Sequence, residues 1–126
     1  MNKELDAALV RDFPKLYRQR GLSMRETCMC WGFSCGDGWE PLIRRLSEKL
    51  EPLGVEVSQV KEKFGGLRFY LAGTEAGVDM EAVDRAVRDA EEEADVTCER
   101  CGQPGTLGGK SWVSVQCDPC RAKPRG

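Results

Sequence analysis

Four cysteines near the C-terminus have the number and spacing of a tetrahedral metal site. Each of two pairs is separated by two residues, and fifteen residues stand between the pairs. The four residues are Cys98, Cys101, Cys117 and Cys120. Two Cys-x-x-Cys pairs at this separation are typical of a structural zinc site. The sequence therefore predicts Zn²⁺ as a cofactor and a zinc ribbon in the last quarter of the chain. A redox-active dithiol pair and an iron–sulfur cluster are the alternatives.

Three further cysteines lie close together earlier in the chain. Cys28, Cys30 and Cys35 fall within eight residues, and the chain has no histidine. A second metal site would therefore need a carboxylate or a water molecule as its fourth ligand. Burial preference instead favours packing of one or two of these thiols as small apolar groups beside Trp31 and Phe33. Both interpretations stay open on the sequence.

Residues suited to catalysis are scarce. The chain has no histidine for general-base work, no G-x-S-x-G nucleophile elbow and no phosphate-binding loop. A closed site of four cysteines leaves no coordination position for a substrate. The sequence therefore predicts a protein that is not an enzyme and has no catalytic residues.

Aromatic and cationic side chains in two segments are candidates for binding. Stacking aromatics beside arginine suit a nucleotide or another planar anion. The charged hairpin sequence at 61–70 suits a protein partner. The opposing interpretation places both tryptophans in the core and packs the hairpin on the helices. The candidate binding residues are Trp31, Trp39, Lys61, Lys63, Arg68 and Tyr70.

Helices must position the first half of these residues. An apolar side chain recurs every fourth residue over 3–20 and predicts a helix there. Pro14 should break it, with Asp12 as the cap of a short second segment. Another helix should begin after Asp37, with Glu40 completing a capping box. The glycines on either side of Asp37 should let the chain turn into that helix.

A hairpin, a helix and the ribbon make up the second half. Alternating residues predict strands at 55–63 and 67–72, joined by Phe64-Gly65-Gly66. Asp79 should cap a third helix. The expected fold class is α+β: two N-terminal helices, a β-hairpin and a third helix, with a C-terminal zinc ribbon. The expected division is a body at 1–96 and a ribbon appendage with a basic tail at 97–126.

Charge is distributed unevenly along the chain. The net charge is −2, and residues 75–97 carry nine acidic and two basic side chains. Four thiolates around Zn²⁺ contribute a net −2, which brings the whole chain to about −4. This balance argues against a general nucleic-acid binder, which needs a clear basic surplus. The acidic helix end should be covered by ribbon cations such as Arg100, Arg121 or Lys123, or by a partner.

The remaining composition indicates a cytoplasmic protein. No apolar run approaches the ~20 residues that span a bilayer, and the charged N-terminus does not read as a signal peptide. Seven cysteines without a secretory signal are typical of a reducing compartment. We therefore expect no membrane partner and a cytoplasmic location, in the host cell if the chain is phage-encoded.

Three segments together resemble a family of small, mostly uncharacterised bacteriophage and prophage proteins. They are WGFSCGDGW at 31–39, VKEKFGGLRFY at 60–70, and CERCGQPG at 98–105 with a terminal Cys-x-x-Cys. The resemblance covers about residues 25–121. It implies a phage origin, and many such proteins without enzyme motifs bind host components, including defence systems.

Three functions are compatible with these observations. The first is an interaction protein that binds a host or phage protein, as an inhibitor of a host defence system. The second is a nucleic-acid-binding zinc-ribbon accessory protein, which salt-dependent binding would reveal. The third is a binder that sequesters a small nucleotide signal, which thermal stabilisation by nucleotides would reveal.

Overall fold

The computed structural model describes residues 1–73 and 75–123. Helices and two small sheets alternate along the chain, so the predicted α+β class is confirmed. The last three residues of the predicted basic tail, 124–126, lie outside the described residues.

Helix α1 spans Lys3–Asp12. Its N-cap is Asn2, whose side chain accepts a hydrogen bond from the Leu5 amide at 2.8 Å. It ends before Pro14, as predicted, because proline cannot continue the hydrogen-bond ladder. The predicted cap at Asp12 is wrong, since this carboxylate forms ion pairs with Arg11 and Arg44. A single 3₁₀ turn at Arg18–Gly21 stands where a second helical segment was expected.

Helix α2 spans Glu40–Leu50 and follows a 3₁₀ turn at Asp37–Trp39. The predicted cap at Asp37 is also wrong. Its carboxylate instead accepts hydrogen bonds from the Asn2 backbone amide at 2.7 Å and the Asn2 side chain at 3.1 Å. Asp37 therefore ties the start of α1 to the entry of α2. The apolar face of α2 is buried at Leu42, Ile43, Leu46 and Leu50.

A three-stranded sheet carries the hairpin. Its strands are β1 at Phe33–Ser34, β2 at Val57–Lys63 and β3 at Gly66–Leu71, in the order β1-β2-β3. The antiparallel pair β2–β3 was predicted, whereas the short parallel strand β1 was not. Lys63 pairs with Gly66, so the connecting loop is the two residues Phe64 and Gly65.

Helix α3 spans Met80–Ala94 and packs against α2 and β3. Asp79 caps it as predicted, because its carboxylate accepts a hydrogen bond from the Ala82 amide at 3.2 Å. Side chains from α1, α2, the sheet and α3 form one core. Its largest fully buried members are Trp39, Tyr17, Leu9, Leu16, Met29 and Ile43.

The C-terminal segment forms a second, two-stranded sheet. Strands β4 at Thr106–Gly108 and β5 at Ser114–Gln116 are antiparallel. The four-residue helix α4 at Asp118–Arg121 follows. This small hairpin separates the two cysteine pairs and returns the second pair to the first.

Candidate metal centre and hairpin surface

The two Cys-x-x-Cys pairs converge on one point. One sulfur from each cysteine lies within 4.8 Å of the other three, and the Cys101 and Cys117 sulfurs are 3.5 Å apart. A tetrahedron with Zn–S bonds of about 2.3 Å has sulfur–sulfur edges of roughly 3.8 Å. The observed Cys101–Cys117 distance is close to that value. The four cysteines can therefore hold a metal ion, as their sequence spacing predicted.

Backbone geometry prepares one of these thiols for ionisation. Burial opposes ionisation of Cys98, but hydrogen bonds from the backbone amides of Cys117, Cys101 and Arg100 outweigh it and lower the pKa of the Cys98 thiol to about 6. The neighbouring Cys117 thiol, together with burial, raises the pKa of Cys120 to about 12. Thiols at this spacing do not all ionise against one another's charge without a cation among them. The donor set therefore fits a divalent metal.

The segment at 36–39 holds the first cysteine pair against the body. The Gly38 amide donates a hydrogen bond to the Glu99 carbonyl at 2.8 Å, and the Gly36 amide donates to the Glu99 carboxylate at 2.8 Å. The Trp39 indole N–H donates to the Thr97 carbonyl at 2.9 Å. These bonds fix the turn that carries Cys98 and Cys101.

The glycines at 36 and 38 permit this close approach. A Cβ atom at Gly36 would lie 2.2 Å from the Glu99 carbonyl oxygen, and one at Gly38 would lie 2.2 Å from the Cys98 carbonyl oxygen. Neither residue has a positive φ, so their proposed role in turning the chain is not supported. The C-terminal end of the WGFSCGDGW segment, at 36–39, is therefore an intramolecular contact with the cysteine ribbon.

The predicted aromatic pocket does not form as a unit. Trp39 has no exposed surface, and its only polar atom is bonded to Thr97. Its assignment as a ligand-binding residue is therefore corrected to a core and ribbon-anchoring role. Trp31, by contrast, is 66% exposed, so the core interpretation is wrong for this residue.

The three earlier cysteines differ in how deeply they are buried. Cys35 is buried, Cys30 is half-buried and Cys28 is exposed. Within 1–73 and 75–123, the ribbon cysteines are the one group of three or more thiols or carboxylates whose ligand atoms lie close enough to share a metal. Burial raises the pKa of the Cys35 thiol to about 12, so this thiol is neutral and packs as an apolar group.

The hairpin brings four predicted binding residues to one face. Lys61 lies directly opposite Arg68, and Tyr70 lies opposite Gln59, on the face of the sheet that points away from the core. Lys63 follows Lys61 on the same face. Lys61, Lys63, Arg68 and Tyr70 therefore lie on one face of the sheet.

One residue of this region was missed. Phe64 is 75% exposed and has a φ of +53°, and Gly65 follows with a φ of +83°. Two positive φ values match a type I′ hairpin turn, for which Asn-Gly is the usual sequence. Phenylalanine at this turn position could have marked the site in the sequence, because a bulky residue is rare in the left-handed region.

Within residues 1–73 and 75–123, no cation of the ribbon forms an ion pair with the acidic helix. Glu93 pairs with Arg45 of α2, and the Glu91 carboxylate accepts a hydrogen bond from the Phe69 amide on the edge of β3 at 3.2 Å. Arg100 and Arg121 instead donate to carbonyl oxygens within the ribbon. The expected docking of ribbon cations onto α3 is therefore corrected: the ribbon docks on 36–39.

In the described part of the chain, the helices are too short or too polar to cross a bilayer. Comparison of the chain with models of known protein families, with curated proteins and with solved structures finds no match in any of the three.

Proposed function

We propose that the protein is a non-enzymatic interaction protein that binds a protein partner through the tip of its hairpin. The observation that carries this proposal is Phe64. Its backbone conformation is unfavourable for a bulky residue, and its ring is exposed to water. Folding alone does not favour phenylalanine here, whereas a partner that buries the ring does.

The surroundings of Phe64 have the composition of an interface. Together with Leu107, which is 60% exposed, it borders a recess of about 390 Å³ between the hairpin and the ribbon. Three charged residues, Lys63, Arg68 and Asp95, also line the recess. An aromatic anchor within a polar rim is the usual arrangement of a binding hot spot. The partner should offer an apolar recess for Phe64, with carboxylates that face Lys63 and Arg68.

The resemblance to bacteriophage proteins supports a biological setting for this interaction. In that setting the protein acts in the host cytoplasm on a host or phage protein, as an inhibitor of a host defence system. No step of this role requires catalysis.

Zn²⁺ is the metal that we propose for the four-cysteine centre. Cys98, Cys101, Cys117 and Cys120 would hold it, and four sulfur ligands in a tetrahedron suit zinc or iron. When bound, zinc closes the two turns of the ribbon on each other. The ribbon then supports Leu107 beside the hairpin tip, so the proposed metal role is structural.

The test is partner capture from host cells followed by reconstitution with the purified partner. Phe64→Asn removes the ring and leaves an Asn-Gly turn, so the hairpin is retained. We expect a partner that binds the wild type and binds Phe64→Asn at least tenfold more weakly. Met24→Asn is the matched control, because Met24 is an equally apolar side chain that is 66% exposed elsewhere. A partner that binds Phe64→Asn as tightly as the wild type would contradict the proposal.

A further inference from the structure

The outer face of the hairpin carries positive charges that are not neutralised. Lys61 and Arg68 are half-buried and directly opposite each other, and Lys63 is the next residue on that face. In the parts of the chain that the structure describes, none of the three forms an ion pair. Like charges at directly opposite positions of a sheet are destabilising. The charge of this face is therefore suited to binding an anion.

A preformed groove lies along the same face. It has a volume of about 670 Å³, within the range of roughly 300–1,000 Å³ that is typical of small-molecule sites. The segment 19–28 forms its wall, and the Thr27 hydroxyl holds that wall by donating to the Gln19 side chain and to the Ser58 carbonyl of β2. One carboxylate, Glu26, lines the groove and accepts hydrogen bonds from Ser23.

The groups along the groove are arranged in the order that a nucleotide requires, with cations for the phosphate at one end and an aromatic ring for the base next to them. Lys61 and Lys63 line the end near the hairpin loop, whereas Arg68, directly opposite Lys61, lines the neighbouring recess beside Phe64. Tyr70, 42% exposed, and Gln59 form the next pair on the same face. Residues two apart in a strand are separated by roughly 7 Å. That separation is comparable to the span from a base to its 5′-phosphate.

We propose that this groove binds a nucleotide. The phosphate lies at Lys61 and Lys63, the base stacks on the Tyr70 ring, and the Gln59 amide forms a hydrogen bond with the edge of the base. Aromatic stacking together with unpaired cations is the general means by which proteins hold single nucleotides or bases. This site shares Lys63 with the proposed partner surface but goes beyond it, because Gln59, Lys61 and Tyr70 line the groove and do not line the recess beside Phe64.

The experiment measures binding by calorimetry and by thermal shift on the full chain loaded with zinc. The probes are the four ribonucleoside 5′-monophosphates, adenosine, inorganic phosphate and a short single-stranded oligonucleotide without a terminal phosphate. We expect at least one monophosphate to bind, to raise the Tm, and to bind at least tenfold more tightly than either adenosine or phosphate. The oligonucleotide separates a free nucleotide from a nucleic-acid strand as the source of the same chemistry.

Lys61→Glu is the decisive variant. It places opposite charges on the pair with Arg68, so we expect the unliganded variant to have a higher Tm than the wild type. We also expect it to bind the monophosphate at least tenfold more weakly. A variant that has a higher Tm but binds the nucleotide more weakly has not lost binding through a damaged fold. Lys3→Glu makes the same charge change on an exposed residue of α1 and should leave nucleotide affinity unchanged.

Four outcomes would overturn the proposal. They are no binding by any monophosphate, equal affinity for inorganic phosphate, unchanged affinity in Lys61→Glu, and binding of the oligonucleotide alone. Phe64→Asn should retain nucleotide binding, so failure of this site and failure of the protein-partner surface are distinguishable.

Discussion

At the scale of single residues, Gly38 has no side chain because the ribbon occupies the space. Its missing Cβ would lie 2.2 Å from the Cys98 carbonyl oxygen and 2.6 Å from the Gly102 amide nitrogen. Both neighbours are backbone atoms of the metal-binding turn, so neither can rotate away. This position therefore couples packing in the body to the geometry of the cysteine centre.

Replacement of this glycine should show that coupling. Gly38→Ala should lower the free energy of unfolding by roughly 1–3 kcal/mol, as overpacking of a tight contact does, and should also weaken metal binding. Denaturant unfolding and competition with a chelator measure the two effects. Gly21→Ala is the matched control, because nothing lies within 4 Å of a Cβ at Gly21, and it should be close to neutral. Equal stability of the two variants would show that the backbone around Gly38 can accommodate a methyl group.

The cysteines and Gly38 differ in how well their roles can be predicted from the sequence. The four cysteines were predicted because the signal is local: two short spacings and a residue type that binds metal. The role of Gly38 was not predictable, because its neighbour Cys98 is sixty residues away along the chain. Trp39 was misassigned for the same reason, since its hydrogen-bond acceptor at Thr97 is 58 residues away along the chain.

At the scale of elements, the tip of the hairpin combines a favourable turn with an unfavourable residue. Gly65 adopts its positive φ without strain, whereas Phe64 does so at a cost of about 1 kcal/mol. The Lys63 ammonium group lies 5.8 Å from the Phe64 ring centroid, which returns a small part of that cost. The element is therefore less stable than its backbone alone would permit.

Phe64→Asn should accordingly stabilise the folded protein. Asparagine tolerates the left-handed region and favours the type I′ turn, so we expect a gain of about 0.5–1 kcal/mol and a Tm higher by a few degrees. Phe64→Leu removes the aromatic ring but keeps the backbone penalty, and it should give no such gain. Thermal unfolding of the three proteins checks this. A lower Tm for Phe64→Asn would mean that the ring stabilises the fold and is not free for a partner.

The helix caps show where prediction at this scale succeeds. Asp79 caps α3 as predicted, because the amide that donates to its carboxylate belongs to a nearby residue in the chain, Ala82. Asp37 has an equally good local pattern, yet its carboxylate accepts hydrogen bonds from Asn2, which lies 35 residues earlier in the chain. Strand β1 was likewise unpredictable, since two residues carry no periodicity and only the pairing with β2 defines them.

At the scale of the whole molecule, the ribbon is joined to the body by polar contacts and little apolar packing. Of its residues, Val115 and two of the cysteines are buried apolar groups, and none of them belongs to the main core cluster. Hydrogen bonds from 36–39 to Thr97 and Glu99 connect the two parts. A segment this poor in apolar burial needs a metal to stay folded.

Metal removal should therefore unfold the ribbon and leave the body intact. Elemental analysis of the purified protein should give about one zinc per chain, and a chelator should release it. Without metal, the Gly38 and Gly102 amides should lose protection from hydrogen exchange, since both bond to the first cysteine turn. The Val60 amide, in the middle of β2, should keep its protection because the main core does not include the ribbon. Iron in place of zinc would refute the metal assignment. Loss of protection at Val60 together with Gly38 would show that body and ribbon unfold as one unit, with the metal stabilising the entire chain.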